Sequence, residues 1–141
     1  QAFRDAHDDM TRAAAPLGDR LVYMGEPEDQ DAYAALLASA DVAVSTARNE
    51  FFGLAMIEAC YAGCTPLVPD RLAYPEIYPP SHRYRTPGEL VARLRSHVCE
   101  PPAPGQARFV AEAFTVDRML PAYREVFERV IGACHEKGVR T

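Results

Sequence analysis

The chain has 141 residues, 48% of them hydrophobic, and a formal net charge of −5. That is enough apolar material for one domain with its own core, and it argues against disorder. No apolar run reaches membrane-spanning length, the first residues do not read as a signal peptide, and the acidic balance gives no basic footprint for gripping nucleic acid.

Residues 1–15 read as a helix, with Phe3, Ala6, Met10 and Ala13 on one face, ended by Pro16 and Gly18. Leu21, Val22 and Tyr23 read as a strand closed by the turn Gly25-Glu26-Pro27. Asp31 to Ser39 is the next expected helix, with Tyr33, Leu36 and Leu37 inward.

Residues 40–69, ADVAVSTARNEFFGLAMIEACYAGCTPLVP, organise the rest. Val42-Ala43-Val44 and Pro66-Leu67-Val68 are short continuous apolar runs, the pattern of strands buried on both faces. Between them Phe52 to Ala62 reads as a helix stopped by Gly63 in the left-handed position. A strand, a crossover helix and a parallel strand follow one another with right-handed connection. Ligands of such sheets lie beyond the carboxyl ends of the strands, where Ser45 to Gly53 forms the turn.

The turn carries chemistry that suits a diphosphate. The first N–H groups of a helix lack intrahelical partners and carry partial positive charge, and glycine at Gly53 lets a phosphate come close. Glu50 precedes the helix, and Glu58 lies five residues in, about 7–8 Å along the axis. Each carboxylate could hold a diol, one on a sugar and one on a ribose. A simpler account stands beside this one: acidic residues near a helix start are favoured by the macrodipole, and glycine at such a turn permits tight packing. Ser45 and Thr46 can bond the turn backbone or a phosphate, and Arg48 is the one cation of the turn.

Beyond Val68, the prolines of Tyr74-Pro75-Glu76-Ile77-Tyr78-Pro79-Pro80 predict an extended, turn-rich segment, with Glu76 structural. Arg83 to Arg85 is a short strand candidate. Thr86 with Glu89 forms a capping box for a helix whose apolar face is Leu90, Val91, Leu94 and Val98. Three prolines at 101, 102 and 104 precede a short helix over 105–113. A last helix starts at Thr115 or Asp117, with Pro121 in its first turn. Its expected inward face is Met119, Leu120, Tyr123, Val126, Phe127 and Val130, and GVRT is an expected frayed tail.

The cysteines at 60, 64, 99 and 134 follow no metal-ligand spacing, so reduced, partly buried thiols of a cytoplasmic protein are expected, with no metal. His7, His82, His97 and His135 are scattered and read as surface or packing residues. Strands alternating with helices give an α/β chain, a Rossmann-like parallel sheet flanked by helices, with four strands expected.

The central stretch resembles the donor-binding signature of the family 4 retaining glycosyltransferases of GT-B architecture. The matching residues are Glu50, Phe52, Gly53, Glu58, Ala59 and Gly63. The doubled phenylalanine, Met56 and LAYPEIYP resemble one branch, the tRNA-queuosine mannosyltransferases.

The resemblance implies that residues 1–141 are one partial nucleotide-sugar-binding domain, the C-terminal donor half of such an enzyme, with 103–141 as a helical extension. It implies GDP-mannose as donor, queuosine of tRNA as acceptor held by an N-terminal domain, and no cofactor. Glu50 would be the catalytic-site residue holding sugar hydroxyls. Phe52, Gly53 and Leu54 would hold phosphate and sugar, and Glu58 the ribose diol. Gly25, Glu26 and Pro27 would lie on the base side, with Thr46 a further donor contact.

The family's phosphate-neutralising Arg and Lys would precede Gln1, so a fragment inactive alone is expected. Three alternatives remain: a nucleotide-sugar-binding module without catalysis, a family 4 enzyme with another donor and acceptor, or a purely structural Rossmann-like domain that binds no nucleotide.

Overall fold

The computed structural model describes residues 2–136, with side-chain surroundings for residues 8–132. The expected helical faces of Phe3 and Ala6, the roles of His7, Cys134 and His135, and the GVRT tail lie outside those residues. In chain order the elements are α1 (Ala2–Ala14), α2 (Gln30–Ala38), β1 (Val42–Val44), α3 (Leu54–Ala62), β2 (Thr65–Pro69), α4 (Tyr74–Ile77), β3 (Arg83–Tyr84), α5 (Pro87–Cys99), α6 (Arg108–Glu112) and α7 (Val116–Glu136).

Among the described residues the sheet has three parallel strands in the order β1-β2-β3. Val42 lies opposite Thr65, Val44 opposite Leu67, and Val68 opposite Arg83. All of β2 is buried, as befits the central strand. Pro66 sits in it without loss. The N–H of Thr65 donates to Asp41 and the Leu67 carbonyl accepts from Ser45, so these residues face β1. Pro66 faces the other way, where β3 has not yet begun, and no ladder bond is missing.

Local chemistry fixes the helix ends as the sequence implies. Asp29 caps α2 by accepting the Ala32 N–H at 2.8 Å. Gly63 ends α3 at φ +115°, and its carbonyl accepts the Gly105 N–H at 3.0 Å, joining α3 to the segment that leads into α6. Thr86 caps α5 through the Glu89 N–H, while Glu89 reaches back to the Arg85 amide, one residue earlier than a strict capping box. The core is Met56, Ile57 and Cys60 of α3, Val68, Tyr74, Tyr78, and Ala107, Val110 and Ala111 from the α6 region.

Six expectations are corrected. On α2, Tyr33 and Leu37 are half-buried as expected, but Leu36 is exposed. Leu21–Tyr23 joins no sheet, and Val22 is 92% exposed; an apolar run becomes a strand only where a neighbour supplies hydrogen-bond partners. Strand β1 is an edge strand, half-buried rather than covered on both faces. Helix α3 begins at Leu54 instead of Phe52 and turns Met56, Ile57, Ala59 and Cys60 inward, leaving Leu54 and Tyr61 exposed.

The proline-rich segment contains a regular element, α4. Pro75 falls in its first turn, where a missing N–H costs nothing, and Tyr74 and Tyr78 are fully buried. Helix α7 forms, but Leu120, Tyr123, Val126, Phe127 and Val130 are exposed. Only Met119 of that expected face is half-buried. Periodicity tells which residues share a face, not what covers it.

Candidate functional site

The turn between β1 and α3 is held at the carboxyl ends of the strands. The Ser45 N–H donates to the Leu67 carbonyl at 3.0 Å, continuing the β1–β2 ladder by one residue. Its own carbonyl accepts the Tyr84 hydroxyl at 2.7 Å. The Ser45 and Tyr74 hydroxyls share a hydrogen bond of 2.8 Å, and the Ala47 N–H donates to the same serine oxygen. Arg71 donates to the Ala47 carbonyl at 2.8 Å. Three segments beyond β1 therefore hold this turn: the loop after β2, α4 and β3.

Asp70 ties those segments to one another. Its carboxylate receives Arg83 at 2.6 Å and Arg85 at 3.0 Å, and its N–H donates to the Tyr84 carbonyl. The two strand ends are thus clamped at the carboxyl edge of the sheet, where ligands of parallel sheets bind.

The other arm of the turn is a nest of amides. The N–H groups of Phe51, Phe52 and Gly53 converge on one oxygen of Glu50, Oε1, at 3.0, 3.2 and 2.8 Å. The amides of Phe52 and Gly53, with Phe51, hold the Glu50 carboxyl below its ordinary range. The nest is an oxyanion site occupied by the chain's own carboxylate, whose second oxygen makes no bond among the described residues. The first intrahelical bonds come from Met56 and Ile57 to the Gly53 carbonyl, so the Leu54 and Ala55 amides also point out of the helix end.

Gly53 caps α3 at φ +81°. Its missing Cβ faces the ring of Tyr74, 2.7 Å from Cε1, so glycine here serves close packing as well as backbone freedom.

Glu58 lies half-buried one turn along α3, where its Oε2 accepts the Tyr33 hydroxyl at 2.9 Å. It opens into a groove of about 860 Å³ between α2, α3, α6 and α7. Leu37, Phe52, Leu54, Tyr61 and Phe114 supply apolar walls. Phe52 meets Phe114 edge-on at 5.2 Å, and Arg108 lies over the Tyr61 ring at 5.2 Å.

The structure therefore joins Phe52, Leu54 and Glu58 in one groove, with the Glu50–Gly53 nest adjoining through Phe52. Thr46 is exposed on the turn. Gly25, Glu26 and Pro27 lie elsewhere. The Glu26 carbonyl accepts the Tyr23 hydroxyl, and Pro27 lines a separate groove with Val22 and Leu36.

Sequence reasoning missed the roles of Tyr33, Tyr74, Tyr84 and Arg71. The tyrosine-rich LAYPEIYP segment was the one available signal for Tyr74. Cys60 and Cys64 are buried; burial pushes the Cys60 thiol up to about 12 and the Cys64 thiol upward too, which makes both poor nucleophiles. Among the described residues no His, Cys, Asp and Glu cluster could hold a metal ion, and no helix is long and apolar enough to cross a membrane.

Two outcomes are expected. Gly53→Ala should destabilise the protein by about 2–5 kcal/mol, the sum of left-handed strain and collision with Tyr74, read from urea unfolding. In a Tyr74→Ala background, itself less stable, Gly53→Ala should cost only the strain. Because the Glu50 carboxyl is held below 4.5 by the nest, its contribution to stability is present above that value and fades as pH falls through the lowered one. The stability gap between wild type and Glu50→Gln, measured across an acid series, should narrow over that interval.

No family model and no solved structure matches the chain. A tRNA-queuosine alpha-mannosyltransferase of Drosophila melanogaster is 31% identical over 137 residues, covering 93% of this chain and 36% of the relative. The chain thus spans 36% of the length of that curated relative and is related to part of a glycosyltransferase.

Proposed function

We propose that the chain is the donor-binding part of a retaining glycosyltransferase of GT-B architecture and family 4, acting in the cytoplasm. The sugar is mannose and the acceptor queuosine in tRNA, the transfer that the relative's name describes, and the donor is GDP-mannose. The observation that carries this reading is the amide nest of residues 51–53, an oxyanion site at the carboxyl edge of a parallel sheet and beside the Glu58 groove.

In this reading the amides of Gly53 and Leu54 take the diphosphate at the helix tip, where the dipole favours negative charge. Phe52 adjoins the sugar, Glu50 turns its free oxygen to the sugar hydroxyls, and Glu58 holds the ribose. Thr46 adds a contact from the turn. The bond from the anomeric carbon to the diphosphate oxygen breaks. The acceptor oxygen bonds that carbon on the same face, and its proton passes to the departing diphosphate. Catalysis rests on positioning and on stabilising the leaving group, with no covalent intermediate on the protein.

Because the chain matches 36% of its relative, a second reading has its own support: by itself it binds the donor without transferring the sugar. Turnover by these 141 residues alone, given donor and acceptor, would exclude it.

Titration calorimetry tests the division of roles. Glu58→Ala should weaken GDP and GDP-mannose alike, by roughly 10- to 100-fold, the worth of hydrogen bonds to a charged group. Glu50→Gln keeps an oxygen for the nest and should weaken GDP-mannose by roughly tenfold while leaving GDP nearly unchanged. Equal losses for both ligands in the Glu50 variant would contradict its assignment to the sugar.

A further inference from the structure

The groove around Glu58 contains one side-chain donor already committed to that carboxylate. Tyr33 reaches it from α2, 25 residues earlier in the chain, and bonds Oε2 at 2.9 Å. A carboxylate on a helix surface ordinarily samples several rotamers. One fixed oxygen leaves the other with a defined direction, and Oε1 of Glu58 makes no hydrogen bond among the described residues.

The platform behind Tyr33 is itself anchored. The Cys64 thiol donates to the carbonyls of Leu37 and Ala40, both at 3.2 Å. This ties the end of α2 to the turn that closes α3. Leu37 is one helical turn beyond Tyr33, so the anchor and the hydroxyl lie on the same side of α2. Both residues line the groove with Glu58. At the other end of the helix, the Asp29 cap fixes the entry of the chain.

We infer that Tyr33 is a positioning residue: its hydroxyl pins one oxygen of Glu58 and aims the other at the hydroxyls of a nucleotide ribose. This rests on the assignment of Glu58 to the ribose made above, and adds that selectivity for the ribose depends on a residue of a different helix. Burial in the groove wall and the bond to Glu58 push the Tyr33 phenol up to about 12, so it remains a donor throughout the neutral range. A phenol that stays protonated gives an aim that does not vary with pH over that range.

The test compares GDP with 2′-deoxy-GDP by titration calorimetry on the whole protein, as wild type, Tyr33→Phe, Glu58→Gln and the double variant. Wild type should prefer GDP, and Glu58→Gln should lose that preference. Tyr33→Phe keeps the ring in the groove wall. It should cut the preference by about three- to tenfold while leaving affinity for 2′-deoxy-GDP within about twofold of wild type. The double variant should match Glu58→Gln alone, because Tyr33 acts through that carboxylate.

Equal weakening of both nucleotides by Tyr33→Phe would mean a purely structural role and overturn the inference. So would an unchanged preference in a Tyr33→Phe protein while Glu58→Gln abolishes it, an outcome that leaves the Glu58 assignment standing. A wild type indifferent to the 2′-hydroxyl, or a Glu58→Gln protein that keeps its preference, would overturn the assignment and the inference together.

Discussion

The arrangement depends on the ring of Tyr74. It stands between the two arms of the β1–α3 turn, its hydroxyl on Ser45 and its edge against the open face of Gly53. Remove it and the turn loses the side chain that spans its arms. A fully buried tyrosine satisfies its hydroxyl and fills space at once, which is why one residue can fix both the separation and the orientation of two backbone segments. The amide nest follows from that constraint. Lacking a Cβ, Gly53 adopts its left-handed conformation, directs its N–H toward Glu50, and leaves room for the ring where a side chain would otherwise stand.

Much of this fold is legible from local chemistry. Gly63 as a helix stop, Thr86 as a cap and the parallel strand–helix–strand unit of residues 42–69 all follow from short-range rules. The related glycosyltransferase likewise agrees with the coarser part of the resemblance carried by Glu50, Phe52, Gly53 and Glu58. What the sequence hides is partnership at a distance. Tyr33 and Glu58 are 25 residues apart and Tyr84 and Ser45 are 39 apart, and no spacing rule joins them.

The errors have the same origin. Leu21–Tyr23 has the composition of a strand but no neighbour to pair with, and α7 has an apolar stripe but no cover over most of it. The elements around β2 are set by neighbours among the described residues: β1 and β3 pair with it on either side, and residues of α3 and the α6 region join Val68 in the core.

The central claim is that the amides at the tip of α3, beside the nest that Glu50 fills, receive a nucleotide diphosphate. The most direct measurement is a titration of GDP into the isotope-labelled protein, following backbone amide resonances by nuclear magnetic resonance. Saturable shifts concentrated at Phe51, Phe52, Gly53 and Leu54, with a second set around Glu58, are predicted. Shifts confined to surfaces away from this turn, or none at saturating nucleotide, would contradict the account.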